Sequence, residues 1–477
     1  MFWEIVVVAG YVLSWGMVPV VLRANKPPVS TLNWIWVCLF MPWIGPFAYF
    51  LFGSTHLARK HLTKSTEIDA VDAARRQTDT VLSPVAALIA TRPEGERAFV
   101  SLLSNVNAAV PSGAAEVELL VDAPAFYPAL LKAVREARHH VHIEFYIFRN
   151  DRYGQELVTA LAEAAARGVE VRLLCDGLGC FGTPRRMFNP LTDAGGKFAW
   201  FRTVNPLQNR WIFNLRNHRK LQVIDGETAF VGGMNIGREH MGEDPASGSW
   251  RDVQVRLRGQ VAAALQRTFA DDWYYATDEK LTDDRYYPLS DRPPRHVAQV
   301  LADGPDNNAD PIQMSIVAQL NAARERAWLT AGYFVPNEPL LTALKLSASR
   351  GVDTRLLISA KTDHPWLLQV GRSYYEELLD YGVQIYEYSQ GINHAKVAAF
   401  DGRWMMVGSA NFDIRSMRLN FELNVLSDDP TATAQLEAAL CHDYEEASEK
   451  IDPDVFRRRP FTQRCLESLF RPLAPLL

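Results

Sequence analysis

The chain has 477 residues, 48% of them apolar, and carries 50 Lys+Arg against 55 Asp+Glu for a formal net charge of −5 at pH 7. That length exceeds what one hydrophobic core supports, so two or more domains are expected, and the slightly acidic balance excludes a polycation that holds nucleic acid by bulk charge. The five cysteines, Cys38, Cys175, Cys180, Cys441 and Cys465, are odd in number and lack zinc-finger spacing, which excludes a disulfide framework and reads as reduced packing residues in a cytoplasmic environment.

Two uncharged runs open the chain, residues 5–22 and 32–52. At about 1.5 Å per residue, a helix of either length spans most of a ~30 Å hydrocarbon core. A cleaved signal is disfavoured, because Met1-Phe2-Trp3-Glu4 lacks a basic start and a second run follows directly. The spacing predicts a two-helix transmembrane hairpin over 1–56, its second member made irregular, even re-entrant, by Pro42, Gly45 and Pro46. Residues 23–31 hold two basic side chains, whereas 56–76 hold five, Arg59, Lys60, Lys64, Arg75 and Arg76. The positive-inside bias therefore places the N-terminus and everything after residue 56 in the cytoplasm of a multi-pass protein.

Residues 57–111 read as a polar helical linker, and a β/α pattern follows. Strands are expected at 117–121, 140–148 and 168–174, with helices at 125–138 and 154–167. His139, His140 and His142 fall at a strand start, where alternation sends neighbours to opposite faces; they read as a strand-end cluster, not as metal ligands. Between 185 and 220 the charges are Arg185, Arg186, Lys197, Arg202, Arg210, Arg216, Arg219 and Lys220 against Asp193 alone, interleaved with aromatics that include Trp200 and Trp211. Beside a membrane hairpin, this basic-aromatic segment reads as a face on anionic lipid, with Arg185, Arg186, Arg210 and Trp211 its exponents, and not as a nucleic-acid platform. The second half then repeats the programme. Residues 327–335 parallel the strand holding Tyr146, and 350–357 parallel 167–174. The resulting domains are 112–285 and 286–477, joined through the Asp/Arg/Pro-rich stretch 278–295.

Within each half stands one copy of H-x-K-x4-D-G: His218, Lys220, Asp225 and Gly226 in the first, His394, Lys396, Asp401 and Gly402 in the second. Each lies in an apolar run broken by Asp-Gly, a β-hairpin signature, so His and Lys at i and i+2 project together. Two imidazoles and two ammonium groups brought together suit a phosphodiester. One histidine attacks phosphorus, the other protonates the leaving oxygen, and the lysines hold the anionic oxygens. No acidic cluster has metal-ligand spacing, and the lysines supply the charge a metal would bring, so neither metal nor cofactor is expected.

On these two motifs, with the corners Gly232-Gly233-Met234-Asn235 and Gly408-Ser409-Ala410-Asn411 behind them, the chain resembles the phospholipase D superfamily and its bacterial cardiolipin synthases. The resemblance runs from the N-terminal hairpin to Cys465-Leu466-Glu467. It implies an α/β fold of two pseudo-symmetric phospholipase D-like domains, mixed sheets flanked by helices, sharing one site on the axis between them. It further implies an enzyme of the bacterial inner membrane that joins two phosphatidylglycerol molecules into cardiolipin and glycerol through a phosphatidyl-histidine. A hydrolytic phospholipase D uses the same groups and is the alternative, and the oligomeric state, homodimer included, stays open. His218 is favoured as nucleophile and His394 as general acid.

The motif's own Asp225 and Asp401 belong to the catalytic set by resemblance, but they lie an odd seven residues from their histidines, at the turns, which argues for a turn-holding role. For orienting the imidazoles, resemblance points downstream to Asp252, with Glu239 its rival, as partner of His218, and to Glu422 as partner of His394. The separations, 34 and 28 residues, are similar. Asn235 and Asn411 are candidates for amide donation to phosphate. Ser409, at the family's serine position, joins them as a candidate phosphate contact; the first copy has Gly233 there.

Overall fold

The computed structural model describes residues 1–24, 28–53, 84–105, 109–201, 215–245, 248–305, 309–362 and 365–471. Arg210, Trp211 and most of the expected linker therefore lie outside the described residues.

Helix Phe2–Arg23 is 22 residues long and apolar, long enough to cross a membrane at about 33 Å. The second run, expected to be irregular at Pro42, Gly45 and Pro46, is broken there. Helix Pro28–Phe40 has 13 residues, and after Met41–Trp43 the chain continues as Ile44–Ala48 and a π-turn at Tyr49–Gly53. The break sits at Pro42, where an N–H donor is missing. The two segments still pack as a hairpin. Gly10, Ser14, Met17 and Val21 form the buried stripe of the first helix. Ser14 Oγ donates to the Cys38 carbonyl at 2.7 Å, and a Cβ on Gly10 would fall 2.6 Å from Trp43 Nε1. Small residues let apolar helices approach this closely.

The first half rests on a seven-stranded sheet in the order Glu116–Val121, Val253–Arg258, Thr228–Gly232, Leu221–Ile224, His140–Phe145, Glu170–Asp176, Lys197–Phe201. The second sheet has nine strands: Pro111–Ala114, His296–Asp303, Glu422–Ser427, Trp404–Gly408, Val397–Phe400, Arg326–Ala331, Asp353–Ser359, Gln384–Tyr388 and Ser448–Lys450. Without its two end strands, the second sheet repeats the order of the first. In both, the last three of the seven run parallel and the rest are antiparallel, so the expected duplication is one of whole mixed-sheet domains. The edge strand Pro111–Ala114 crosses over, pairing with His296–Asp303 of the second sheet just before Glu116–Val121 enters the first. Helices Pro84–Ala90 and Glu94–Asn105, on the stretch expected as linker, also pack into the second half through Val85, Phe99, Val100 and Leu103.

One core fills the space between the sheets. It joins Leu221, Val223 and Val255 of the first half to Val397, Val407 and Leu423 of the second, with helices Gln260–Thr277 and Pro430–Glu446. Two further cores lie under the outer helices of each half. Both motif hairpins form as expected. Asp225 and Asp401 take φ of 55° and 52° at their turns, a left-handed conformation that Asp tolerates. One sequence argument fails locally. His139 precedes the first strand residue, His140, so alternation does not separate them, and their Nδ1 atoms meet at 2.7 Å.

Candidate active site

Each histidine stands at the mouth of its hairpin, one residue after a parallel pairing between the halves, Asn217 with Phe421 and Asn393 with Arg251. The His218 N–H donates to the Phe421 carbonyl at 2.9 Å, while Phe421 N–H donates to Arg216 O at 2.8 Å. In the mirror arrangement, strand Gly391–Asn393 pairs in parallel with Ser249–Arg251, and the His394 N–H donates to the Arg251 carbonyl at 2.8 Å. The next residue on each partner strand is a carboxylate, and these strand pairs set it against the imidazole of the opposite half.

His218 Nδ1 lies 3.0 and 2.9 Å from the two oxygens of Glu422, and His394 Nδ1 lies 2.7 Å from Asp252 Oδ2. Both expected carboxylates thus reach an imidazole, but the expected pairing within each half is corrected: the pairs are crossed. The histidine of one half is held by the acid of the other because the inter-half strand pairs deliver the carboxylates. Glu239, the rival to Asp252, is engaged elsewhere, its Oε1 2.6 Å from Arg149 Nε. Asp225 and Asp401 are likewise corrected as members of a catalytic set. Asp225 accepts from the backbone N–H groups of Arg138, His139 and His140, and Asp401 from those of Arg324, Glu325 and Arg326. They staple each hairpin turn to the start of the neighbouring strand, at the far end of the hairpin from the histidine.

The remaining groups show how differently the copies are finished. Ser409 Oγ donates to Glu422 Oε2 at 2.6 Å and accepts the Leu423 N–H at 2.9 Å. Its hydroxyl is therefore committed to the carboxylate, which corrects its expected role as a phosphate contact. At the matching corner a Cβ on Gly233 would fall 2.2 Å from Asp252 Oδ1. Aspartate is one methylene shorter than glutamate and lies closer to its own corner, so only glycine fits there. Asn235 and Asn411 use their side-chain oxygens to accept the N–H of Ile147 at 3.0 Å and of Tyr333 at 3.4 Å. This leaves the Asn235 amide nitrogen buried without a protein partner.

Burial sets the protonation states. His218 and His394 are each 9% exposed, and Lys220 and Lys396 are buried beneath them. Burial pushes the His218 imidazole down to about 4, the Lys220 and Lys396 cations adding to the shift against the pull of Glu422. Burial would raise Glu422, but the charge and hydrogen bond of His218, with Lys220 and Ser409, hold it below its ordinary value. Burial drives Asp252 up to about 7 despite Lys396 and Lys220 nearby. Lys220 falls to about 7 through burial and the neighbouring Lys396 cation, against the carboxylates. Its Nζ also donates to the His218 carbonyl at 2.5 Å, and Lys396 makes the equivalent bond to His394.

Two site neighbours escaped the sequence reading. Tyr146 sets its ring edge against His218, with centroids 4.8 Å apart, and its counterpart in the duplicated order, Tyr333, was the available signal. His240 is buried with neither ring nitrogen hydrogen-bonded, edge-on to Trp250 at 4.6 Å and 6.2 Å from His394. No motif points to it. Of the expected lipid-facing residues, Arg185 and Arg186 are exposed on a 3-10 turn, and Arg210 and Trp211 fall outside the described residues.

Comparison with known proteins is consistent with this architecture. The family model described as cardiolipin synthase, PLD-like domain, matches residues 130–273 and 316–444, and the phospholipase D-nuclease N-terminal model matches 12–54. A cardiolipin synthase of Geobacillus sp. (strain WCH70) is 36% identical over 463 residues, covering 96% of this chain and 91% of the relative. A cardiolipin synthase A of Pseudomonas aeruginosa (strain LESB58) is 37% identical, covering 94% and 91%. Among solved structures, a phosphatidylserine synthase of Haemophilus influenzae has the same fold at a TM-score of 0.60 and 14% identity, over 80% of this chain and 97% of that one. With two phospholipase D-like domains and an apolar N-terminal helix, matched almost end to end by such relatives, the chain belongs to the cardiolipin synthase family.

Proposed function

We propose that this protein transfers a phosphatidyl group from one phosphatidylglycerol to another, forming cardiolipin and glycerol, at a membrane whose cytoplasmic side holds the catalytic domains. His218, neutral at physiological pH and donating Nδ1–H to Glu422, attacks phosphorus through Nε2. The bond from phosphorus to the glycerol oxygen breaks, and the Asp252–His394 pair gives that oxygen its proton from His394 Nε2. A hydroxyl of the second phosphatidylglycerol then attacks the phosphatidyl-histidine, His394 taking its proton as the P–N bond breaks. Lys220, Lys396 and the free amide of Asn235 face the non-bridging oxygens. Glu422 and Asp252 position the imidazoles.

The single observation that carries this assignment is the inequality of the two crossed pairs. Burial holds His218 down to about 4 while Glu422 stays ionised, which frees a lone pair for attack. On the other side, Asp252 is pushed up to about 7, so the pair with His394 retains a proton to give near neutrality. The chain is read as an inner-membrane protein, its N-terminal hairpin inserted and Arg185 and Arg186 turned to anionic lipid. Incubating the full chain with phosphatidylglycerol in detergent tests the reading. Cardiolipin and glycerol in equal amounts are expected, and phosphatidic acid in place of cardiolipin would make it a hydrolase. A p-nitrophenyl phosphodiester, whose leaving group needs no acid, should label His394→Ala and not His218→Ala; an adduct mapped to His394 would reverse the roles.

A further inference from the structure

The ends of two equivalent strands frame the cleft. In the first half, Glu170–Asp176 ends where Asp176 Oδ2 accepts the N–H of Asn217, next to His218, at 3.1 Å. In the second, Asp353–Ser359 ends where Ser359 Oγ accepts the N–H of Asn393, next to His394, at 2.9 Å. The chain leaving each strand end is therefore a rim of the same site. On the first rim Phe181 is 82% exposed and Leu178 is 39% exposed, with Arg185 and Arg186 just beyond. On the second, helix Pro365–Arg372 exposes Trp366 and is packed by the C-terminal helix Phe461–Phe470.

That C-terminal helix is built inside out for a water-facing element. Its buried side chain is Glu467, ion-paired to Arg459 at 2.8 Å. Its outward side chains include Phe461 at 78% and Leu469 at 68% exposed, with Cys465 and Leu466 between them. A contiguous exposed apolar stripe on such a helix fits an apolar medium, bordered by the half-exposed Arg464, 3.8 Å from Glu376.

We propose that the C-terminal helix, with Trp366, docks on the phospholipid bilayer, and that the opposite rim docks through Phe181 and Leu178. The membrane then lies across both sides of the cleft, so donor and acceptor lipid each enter over a rim of their own. This rests on the reading that the substrate is a bilayer phospholipid; the stripe of Phe461, Cys465 and Leu469 carries it further, to a particular surface.

Cys465 is a native probe. In the full chain carrying Cys441→Ser, reconstituted in nanodiscs of phosphatidylglycerol and phosphatidylethanolamine, a fluorophore on Cys465 should be quenched by doxyl-labelled lipid and shielded from iodide. The same fluorophore on Lys132→Cys, in a Cys441→Ser/Cys465→Ser background, should show the opposite. Phe461→Glu with Leu469→Glu should lower transfer on nanodiscs roughly tenfold and on monomeric dihexanoyl-phosphatidylglycerol less than about twofold. A Cys465 label open to iodide and blind to doxyl lipid would overturn the proposal. So would one hidden from both, as in a contact between two copies of this chain. The depth measurement does not depend on turnover: a chain that makes phosphatidic acid would refute the proposed activity and leave the docking result standing.

Discussion

Gly233→Ala adds one methyl group, and its effect follows from the corner it occupies. The new Cβ would stand 2.2 Å from Asp252 Oδ1 and 2.8 Å from its Cγ. A real Cβ contact does not go below 3.0 Å, so the carboxylate must retreat by roughly 1 Å. Asp252 holds His394 Nδ1 at 2.7 Å and accepts its own neighbour's N–H, from Val253, at 2.8 Å, so it has no slack in that direction. A 1 Å retreat opens the imidazole bond beyond hydrogen-bonding distance, and misplacement of that size costs on the order of 100-fold in rate. Overpacking adds about 1–3 kcal/mol of destabilisation, which a thermal melt reads separately. Turnover of phosphatidylglycerol by the folded variant should fall about 100-fold, while the first-turnover burst from a p-nitrophenyl phosphodiester should survive within about threefold, since His218 and Glu422 are untouched and that leaving group needs no acid. Equal loss in both assays, or full activity in both, would refute the coupling of this corner to the acid.

The dependence of kcat/KM on pH should be a bell. It falls on the acid side as His218 takes up a proton near 4 and loses its nucleophilic lone pair. It falls on the alkaline side near 7 as the Asp252–His394 pair loses its proton and Lys220 its charge; an alkaline limb two units higher would contradict this assignment. Asp225→Ala strips the acceptor from three backbone N–H groups and should cost about 2–3 kcal/mol in a denaturant titration, with kcat of the folded fraction within a few-fold of wild type. Reversing Arg185 and Arg186 to Glu should weaken vesicle binding by about 1 kcal/mol per charge, an effect that added salt narrows. Salt-independent loss would mark those arginines as structural.

The duplicated hairpins were legible because they are local: an Asp-Gly turn, two apolar runs and an i, i+2 pair declare themselves within ten residues. The acids that meet the imidazoles, Asp252 and Glu422, were reached through the family resemblance, with similar separations of 34 and 28 residues as the only support in this chain. Their pairing was not legible. His218 meets Glu422 across 204 residues and His394 meets Asp252 across 142, and only the parallel strand pairs between halves decide which acid reaches which ring. The migration of Pro111–Ala114 into the second sheet was hidden for the same reason, since a strand's partner is not written in its own pattern. In the hairpin, composition announced an apolar run, while Pro42 and the close approach of Gly45 to the Val37 carbonyl set where it breaks. Ser409 was misjudged because a hydroxyl near a site looks equally able to serve substrate or scaffold until its two bonds are seen.

The crossed pairs mean that neither half owns a working histidine. A polypeptide cut in the 278–295 join would yield two fragments, each with an imidazole but without the acid that orients it, and activity would return only where both meet. Carrying both on one chain replaces that bimolecular encounter with a fixed effective concentration, so the site does not dilute away at low copy number. Being covalently joined also releases the copies from identity. A symmetric pair of separate chains would have to use one acid and one corner for both jobs, whereas here one copy has settled on Asp with Gly and the other on Glu with Ser. On the proposed roles, a single gene can therefore tailor one histidine for attack and the other for proton donation, where two identical short chains would have to use the same surroundings for both.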